Sequence, residues 1–85
     1  MNMGRPKIAI VDANTLVVLG LKQLLQNVMP IMTVDSFSSF QEFEKAQPNS
    51  YYHYFVSQVI VLENRQFFSQ CIHKTIVLTI TKDPN

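Results

Sequence analysis

The chain has 85 residues, 47% of them hydrophobic, which makes a small folded domain or part of one and excludes a disordered segment. Its net charge of +1, with no basic cluster, excludes an electrostatic surface for nucleic acid, and its single cysteine, Cys71, cannot form an internal disulfide and is typical of a reducing compartment. No apolar stretch is long enough to span a bilayer, and the first residues lack the apolar core of a signal peptide, so we expect a soluble, cytoplasmic protein.

The first strand and helix are the clearest elements in the chain. An almost unbroken apolar run, Lys7–Val11, predicts a strand buried on both faces. Asp12 follows at its carboxyl end, where open α/β sheets bind ligands. Asn14 is a suitable N-cap for an amphipathic helix that runs to Val28. The side chains expected to face the core are those of Val17, Leu21, Leu24, Leu25 and Val28.

The middle of the chain predicts two further strands with a short helix between them. Alternating polarity indicates a strand over Ile31–Asp35. Either Ser38 or Ser39 can cap a short helix that runs through Ala46. An aromatic, β-type run over Tyr51–Ser57 predicts the third strand.

The last third of the chain contains one ambiguous segment. Val59–Leu62 can extend a strand, whereas Glu63–Gln70 is more typical of a helix, and Thr75–Ile80 is a clear final strand. The resulting alternation of strands and helices predicts an α/β fold, with parallel strands, right-handed crossovers and helices on both faces. His53 and His73 are separated by twenty residues and share no cysteine or carboxylate cluster, so we expect no metal site there.

Three stretches together resemble the receiver (CheY-like) domain of response regulators: Ile8–Asp12, Gly20–Leu25 and Ile76–Thr79. The sequence GLKQLL of the second stretch is most similar to that of receivers of LuxR/NarL-type transcriptional regulators. The resemblance runs from Lys7 to Asp83. It implies a flavodoxin-like, doubly wound parallel sheet that is incomplete, with four strands in the order 2-1-3-4 and three helices. On this resemblance we expect one receiver-like domain over residues 1–85 that lacks the final helix, strand and helix of a receiver.

The resemblance also implies a set of site positions. In receivers an acidic pair after the first strand and a phosphoryl-accepting aspartate after the third hold Mg²⁺, and a hydroxyl residue follows the fourth strand. Asp12 matches the first acidic position, but Ala13 occupies the second. Ser57 stands where the acceptor aspartate is expected, and Thr79 matches the hydroxyl position. If the third strand were instead Val59–Leu62, Glu63 would take the acceptor position.

These departures change the expected chemistry. A serine hydroxyl cannot replace the acceptor carboxylate, so we expect no phosphoryl transfer, no catalytic residue, no enzyme activity and no cofactor, Mg²⁺ included. Asp12 is either a remnant of the phosphate site or a carboxylate that caps the following helix. If Glu63 reached the site, its fixed negative charge could imitate the phosphorylated state.

The expected function is therefore a phosphorylation-independent receiver in two-component signalling that regulates a downstream LuxR-type DNA-binding domain. Its partners would be a sensor histidine kinase or another signalling protein, with DNA contacted only through that downstream domain and no contact with a membrane. A last strand with an uncovered edge can pair with a strand of another chain, so a homodimer through the sheet edge is also expected. The alternative is an oligomerisation or scaffold domain with no switching role.

Overall fold

The computed structural model describes residues 6–79 and places four parallel strands in one sheet. The strands are β1 (Lys7–Val11), β2 (Thr33–Phe37), β3 (His53–Ser57) and β4 (Thr75–Leu78), in the order β2-β1-β3-β4. The predicted α/β fold and strand order are confirmed, and the arrangement is that of an incomplete flavodoxin-like sheet. The predicted end of the last strand at Ile80 lies outside the described residues.

Four α-helices connect these strands: α1 (Thr15–Val28), α2 (Phe40–Lys45), α3 (Gln58–Glu63) and α4 (Arg65–Gln70). Short 3₁₀ turns over Pro48–Ser50 and Ile72–Lys74 precede β3 and β4. None of the described helices is both long and apolar enough to cross a membrane.

The predicted number of three helices is wrong, because the ambiguous segment forms two short helices. Val59–Leu62 lies inside α3, so the prediction that this run could be a strand is also wrong. Ile60 on α3 is buried against the sheet, so a helix can also bury part of this apolar run. Asn64 then interrupts the helix: its backbone angles, φ −134° and ψ 45°, are not helical, and its side-chain Nδ2 donates to the Ile60 carbonyl at 2.9 Å.

Two strands begin two residues later than the sequence predicts. The second covers Thr33–Phe37 rather than Ile31–Asp35, because a turn in which the backbone N–H of Met32 donates to the Met29 carbonyl occupies the first predicted positions. The third begins at His53, because the preceding residues form part of the 3₁₀ turn and its exit.

The two faces of the sheet are covered unequally. One face packs against α2, α3 and α4 through an aromatic-rich cluster of buried residues, Ala9, Val11, Phe43, Tyr51, Tyr54, Val56, Ile60 and Phe68. The other face packs against α1 through a smaller cluster, Ile8, Ile10, Leu25 and Val34. Among the described elements, α1 is the helix that covers this second face.

The orientation of α1 differs from the prediction. Of the five expected core residues only Leu25 is buried, whereas Leu24 and Val28 are 56% and 67% exposed. The helix instead contacts the core through Val18, Leu21 and Leu25, at i, i+3 and i+7. The apolar surface of α1 is therefore wider than its contact with the sheet, and part of it remains exposed.

Candidate functional site

An open groove of about 980 Å³ lies at the carboxyl edge of the sheet. Residues that follow all four strands line it, together with residues from the first turns of α1, α2 and α3. Open α/β sheets bind their ligands at this edge. The groove brings together all five site residues that the sequence predicts, Asp12, Ala13, Ser57, Glu63 and Thr79.

Asp12 is half-buried immediately after β1 and is held from two sides. Its backbone N–H donates to the Phe37 carbonyl at 3.0 Å, and its Oδ1 accepts the backbone N–H of Asn14 at 2.9 Å. Asn14, rather than Asp12, caps α1, since its Oδ1 accepts from the amides of Leu16 and Val17. The Asp12 carboxylate thus orders the loop that leads into α1 while it faces the groove.

Ser57 ends β3 and also caps α3. Its hydroxyl oxygen accepts the backbone N–H of Ile60 at 3.3 Å, and its backbone is extended, as is usual for a cap. The strand register that places Ser57 at the end of β3 is confirmed, and the alternative register that would place Glu63 there is wrong. The Ser57 hydroxyl therefore has a structural role as the cap of α3, and this role is distinct from accepting a phosphoryl group.

Glu63 and Thr79 are both exposed at the rim of the groove. Glu63 is the last residue of α3, so its carboxylate reaches the groove from a helix rather than from a strand end. Thr79 directly follows β4, the position that the resemblance assigns to the hydroxyl residue.

Several further residues line the groove that the sequence did not indicate as site residues. Ser38 follows β2, as Asp12 follows β1, and its place at the shared edge could have been recognised from the parallel order. Ser39 is the cap of α2 and accepts the backbone N–H of Glu42 at 3.2 Å, so Ser38 is not the cap. Instead, the Glu42 carboxylate accepts from both the backbone N–H and the hydroxyl of Ser38. Asn64 reaches the groove through a helix break that the sequence pattern does not indicate.

The charge of the groove is negative. Its described lining contains two carboxylates, Asp12 and Glu63, and no lysine or arginine. A phosphoryl group of about −2 charge would therefore meet like charge without a counter-charge from these residues.

The donor set does not fit the Mg²⁺ site of a receiver. Mg²⁺ prefers oxygen ligands in near-octahedral geometry and is usually bound through carboxylates. Ala13 supplies no side-chain donor, and the hydroxyl of Ser57 is engaged by α3. Between residues 6 and 79, no three histidine, cysteine or acidic side chains lie close enough together to hold a metal ion.

Comparison of the chain with protein families, with curated proteins and with solved structures gives no match in any of the three.

Proposed function

We propose that this protein is a receiver-like signalling domain that acts through protein contacts and not through phosphoryl transfer. The observation that carries the proposal is the placement of three residues at one edge of a sheet in the order 2-1-3-4. Asp12, Ser57 and Thr79 end or directly follow β1, β3 and β4, and all three line the same groove. These are the positions at which a receiver holds its acidic, acceptor and hydroxyl residues.

The chemistry of the groove supports a contact-based mechanism. Ala13 and Ser57 stand at two of the three positions where a receiver has carboxylates, so the groove lacks the groups that bind the metal and accept the phosphoryl group. Val59, an apolar residue of α3 that lines the groove, is 62% exposed, and Leu16, which precedes the lining residue Val17 on the first turn of α1, is 80% exposed. Exposed apolar residues around a polar groove are suited to a protein partner.

The test restores the two absent carboxylates. The variant Ala13→Asp/Ser57→Asp should bind Mg²⁺ at the groove, because the groove would then carry carboxylates at positions 12, 13 and 57. The unaltered protein should not respond to Mg²⁺, beryllium fluoride or acetyl phosphate. Backbone amide chemical shifts of residues around the groove would report binding, and intact mass would report phosphoryl transfer. The matched control is Ala13→Asn/Ser57→Asn, which has nearly the same shape but no added charge.

Two results would contradict the proposal. Phosphoryl labelling or Mg²⁺-dependent shifts in the unaltered protein would show that the groove is an active switch. Equal Mg²⁺ responses of the aspartate and asparagine variants would show that positions 12, 13 and 57 do not form a receiver-like acidic site.

A further inference from the structure

The two edge strands of the sheet differ in how they are protected from pairing with another chain. Edge strands are commonly protected by a charged residue, a proline or a bulge. β2 carries Asp35 in its middle, whereas β4 consists of four uncharged residues, Thr75–Leu78, with neither charge nor proline. Within residues 6–79, β4 pairs only with β3, so no strand in this part of the chain pairs with the backbone groups of its outer edge.

The side chains of β4 are exposed on both faces of the sheet. Ile76 is 42% exposed and lies beside Phe55, on the face that α1 covers, whereas Val77 is 43% exposed and lies beside Val56, on the opposite face. Leu62 on α3, the helix that contacts β4, is 57% exposed as well. Exposed apolar side chains therefore lie on both faces of the sheet at β4.

The sequence of this edge is self-complementary. Residues 75–79 are Thr-Ile-Val-Leu-Thr, which have nearly the same chemistry in both directions. If two copies pair in antiparallel orientation about Val77, Val77 faces itself, Ile76 faces Leu78, and Thr75 faces Thr79. Residues directly opposite in an antiparallel pair point to the same face, and pairs between β-branched residues and between threonines are favourable.

From these features we infer that a second copy of this chain pairs with the outer edge of β4. The strands are antiparallel, the two-fold axis passes at Val77 perpendicular to the sheet, and the two sheets join into one of eight strands. This register uses the five uncharged residues and leaves Lys74 outside the pair, where its Nζ already donates to the Tyr51 carbonyl at 2.9 Å. Leu78 and Thr79 belong both to this edge and to the groove, whereas Val77 does not line the groove, so substitutions at Val77 test the pairing apart from the proposed signalling role.

The main test uses opposite charges at the axis. Val77→Lys and Val77→Glu should each weaken the dimer about tenfold or more, because each places two like charges opposite one another. An equimolar mixture of the two variants should recover dimers, because lysine then faces glutamate. Analytical ultracentrifugation over a range of concentrations measures both effects. Leu19→Lys is the matched control, because Leu19 is 59% exposed on α1, which packs on β1 and β2, and this variant should dimerise normally.

A cross-linking experiment covers the case in which a charged variant does not fold. The Cα atoms of directly opposite residues in an antiparallel pair are about 4.5–5.5 Å apart, which is within the range for a disulfide. In a Cys71→Ser background, Val77→Cys should form disulfide-linked dimers under mild oxidation, and Leu19→Cys should not. A monomeric unaltered protein at high concentration, dimeric single-charge variants, no recovery in the mixture, or equal cross-linking of the two cysteine variants would each overturn the inference.

Discussion

The hydroxyl of Tyr51 donates a 2.6 Å hydrogen bond to Oδ2 of Asp35 and thereby joins the segment before β3 to the middle of β2. Tyr51 is buried, with 3% of its surface exposed, and the Nζ atom of Lys7 on β1 lies 4.8 Å from the centre of its ring. One side chain thus contacts residues of two strands, and its bond to a carboxylate is of the stronger, charge-assisted kind.

Tyr51→Phe should lower the free energy of unfolding by about 1–2 kcal/mol, because the ring remains packed while the half-buried Asp35 loses a donor. Urea denaturation measures the change. Tyr52→Phe is the control, since Tyr52 is 61% exposed and its loss of a hydroxyl should change stability by less than about 0.5 kcal/mol. Equal effects of the two substitutions would show that the bond to Asp35 does not stabilise the fold.

Stability should fall in alkaline solution because of two buried tyrosines. Burial, reinforced by the Cys71 thiol, raises the pKa of Tyr54 to about 12. Burial, together with the hydrogen bond to Asp35 and the charge of that carboxylate, also raises the pKa of Tyr51. In the unfolded chain both would ionise near pH 10. The unfolded state therefore releases protons first, and the free energy of unfolding decreases as pH rises above about 10.

This decrease can be measured from urea midpoints at several pH values between about 8 and 12. Tyr54→Phe should make the dependence on pH shallower, because one of the two linked ionisations is removed. A dependence as steep in Tyr54→Phe as in the unaltered protein would contradict a role for Tyr54.

Asn14→Ala should destabilise the protein by about 1 kcal/mol, because the side chain of Asn14 satisfies the otherwise free amides of Leu16 and Val17 at the start of α1. In a domain of this size the melting temperature should fall by about 4–8 °C. Asn14→Ser should retain most of the stability, and Asn27→Ala, at an exposed position near the other end of α1, should not destabilise the protein, because alanine has the higher helix propensity. A loss in Asn14→Ser as large as that in Asn14→Ala would argue against capping as the cause.

Phe43→Ala should have the largest effect. Phe43 is fully buried, its ring centre lies 4.8 Å from that of Tyr54, and it also contacts Phe37, Phe40, Tyr51, Phe67 and Phe68. Truncating a buried phenylalanine costs about 3–5 kcal/mol, a large fraction of the 5–15 kcal/mol that stabilises a typical domain. Near-ultraviolet circular dichroism should then show partial or complete loss of fixed aromatic packing, whereas Val59→Ala, at an exposed position, should preserve the signal.

The parts of the fold that the sequence predicts correctly have strong local determinants. The apolar run Lys7–Val11 is too continuous for a half-exposed strand, and Asn14 has the chemistry of a helix cap. The end of β3 at Ser57 was predictable because the alternative register leaves too few residues for a helix and a strand before Thr79. Once the strands are known to be parallel, the residues that follow them must lie at the same edge of the sheet. Most of the residues that line the groove can therefore be predicted from the strand order.

The errors arise where local pattern does not decide the structure. A short apolar run such as Val59–Leu62 fits either a buried strand or a helix, and the choice depends on what Ile60 packs against. The apolar surface of α1 is wider than the sheet can cover, so the sequence does not show that Val18 faces the core and Val28 faces solvent. Asn64 contributes to the groove only because it ends α3, which is a consequence of tertiary packing.

The strand order has a consequence for synthesis of the protein. β1 is synthesised before both of its neighbours in the sheet, since β2 and β3 are complete only at residues 37 and 57. Parallel strands cannot form a hairpin, so no early local pairing covers β1. The second neighbouring strand of β1 is therefore available only after residue 57 has been translated, and until then one edge of this apolar strand is open to association with other chains.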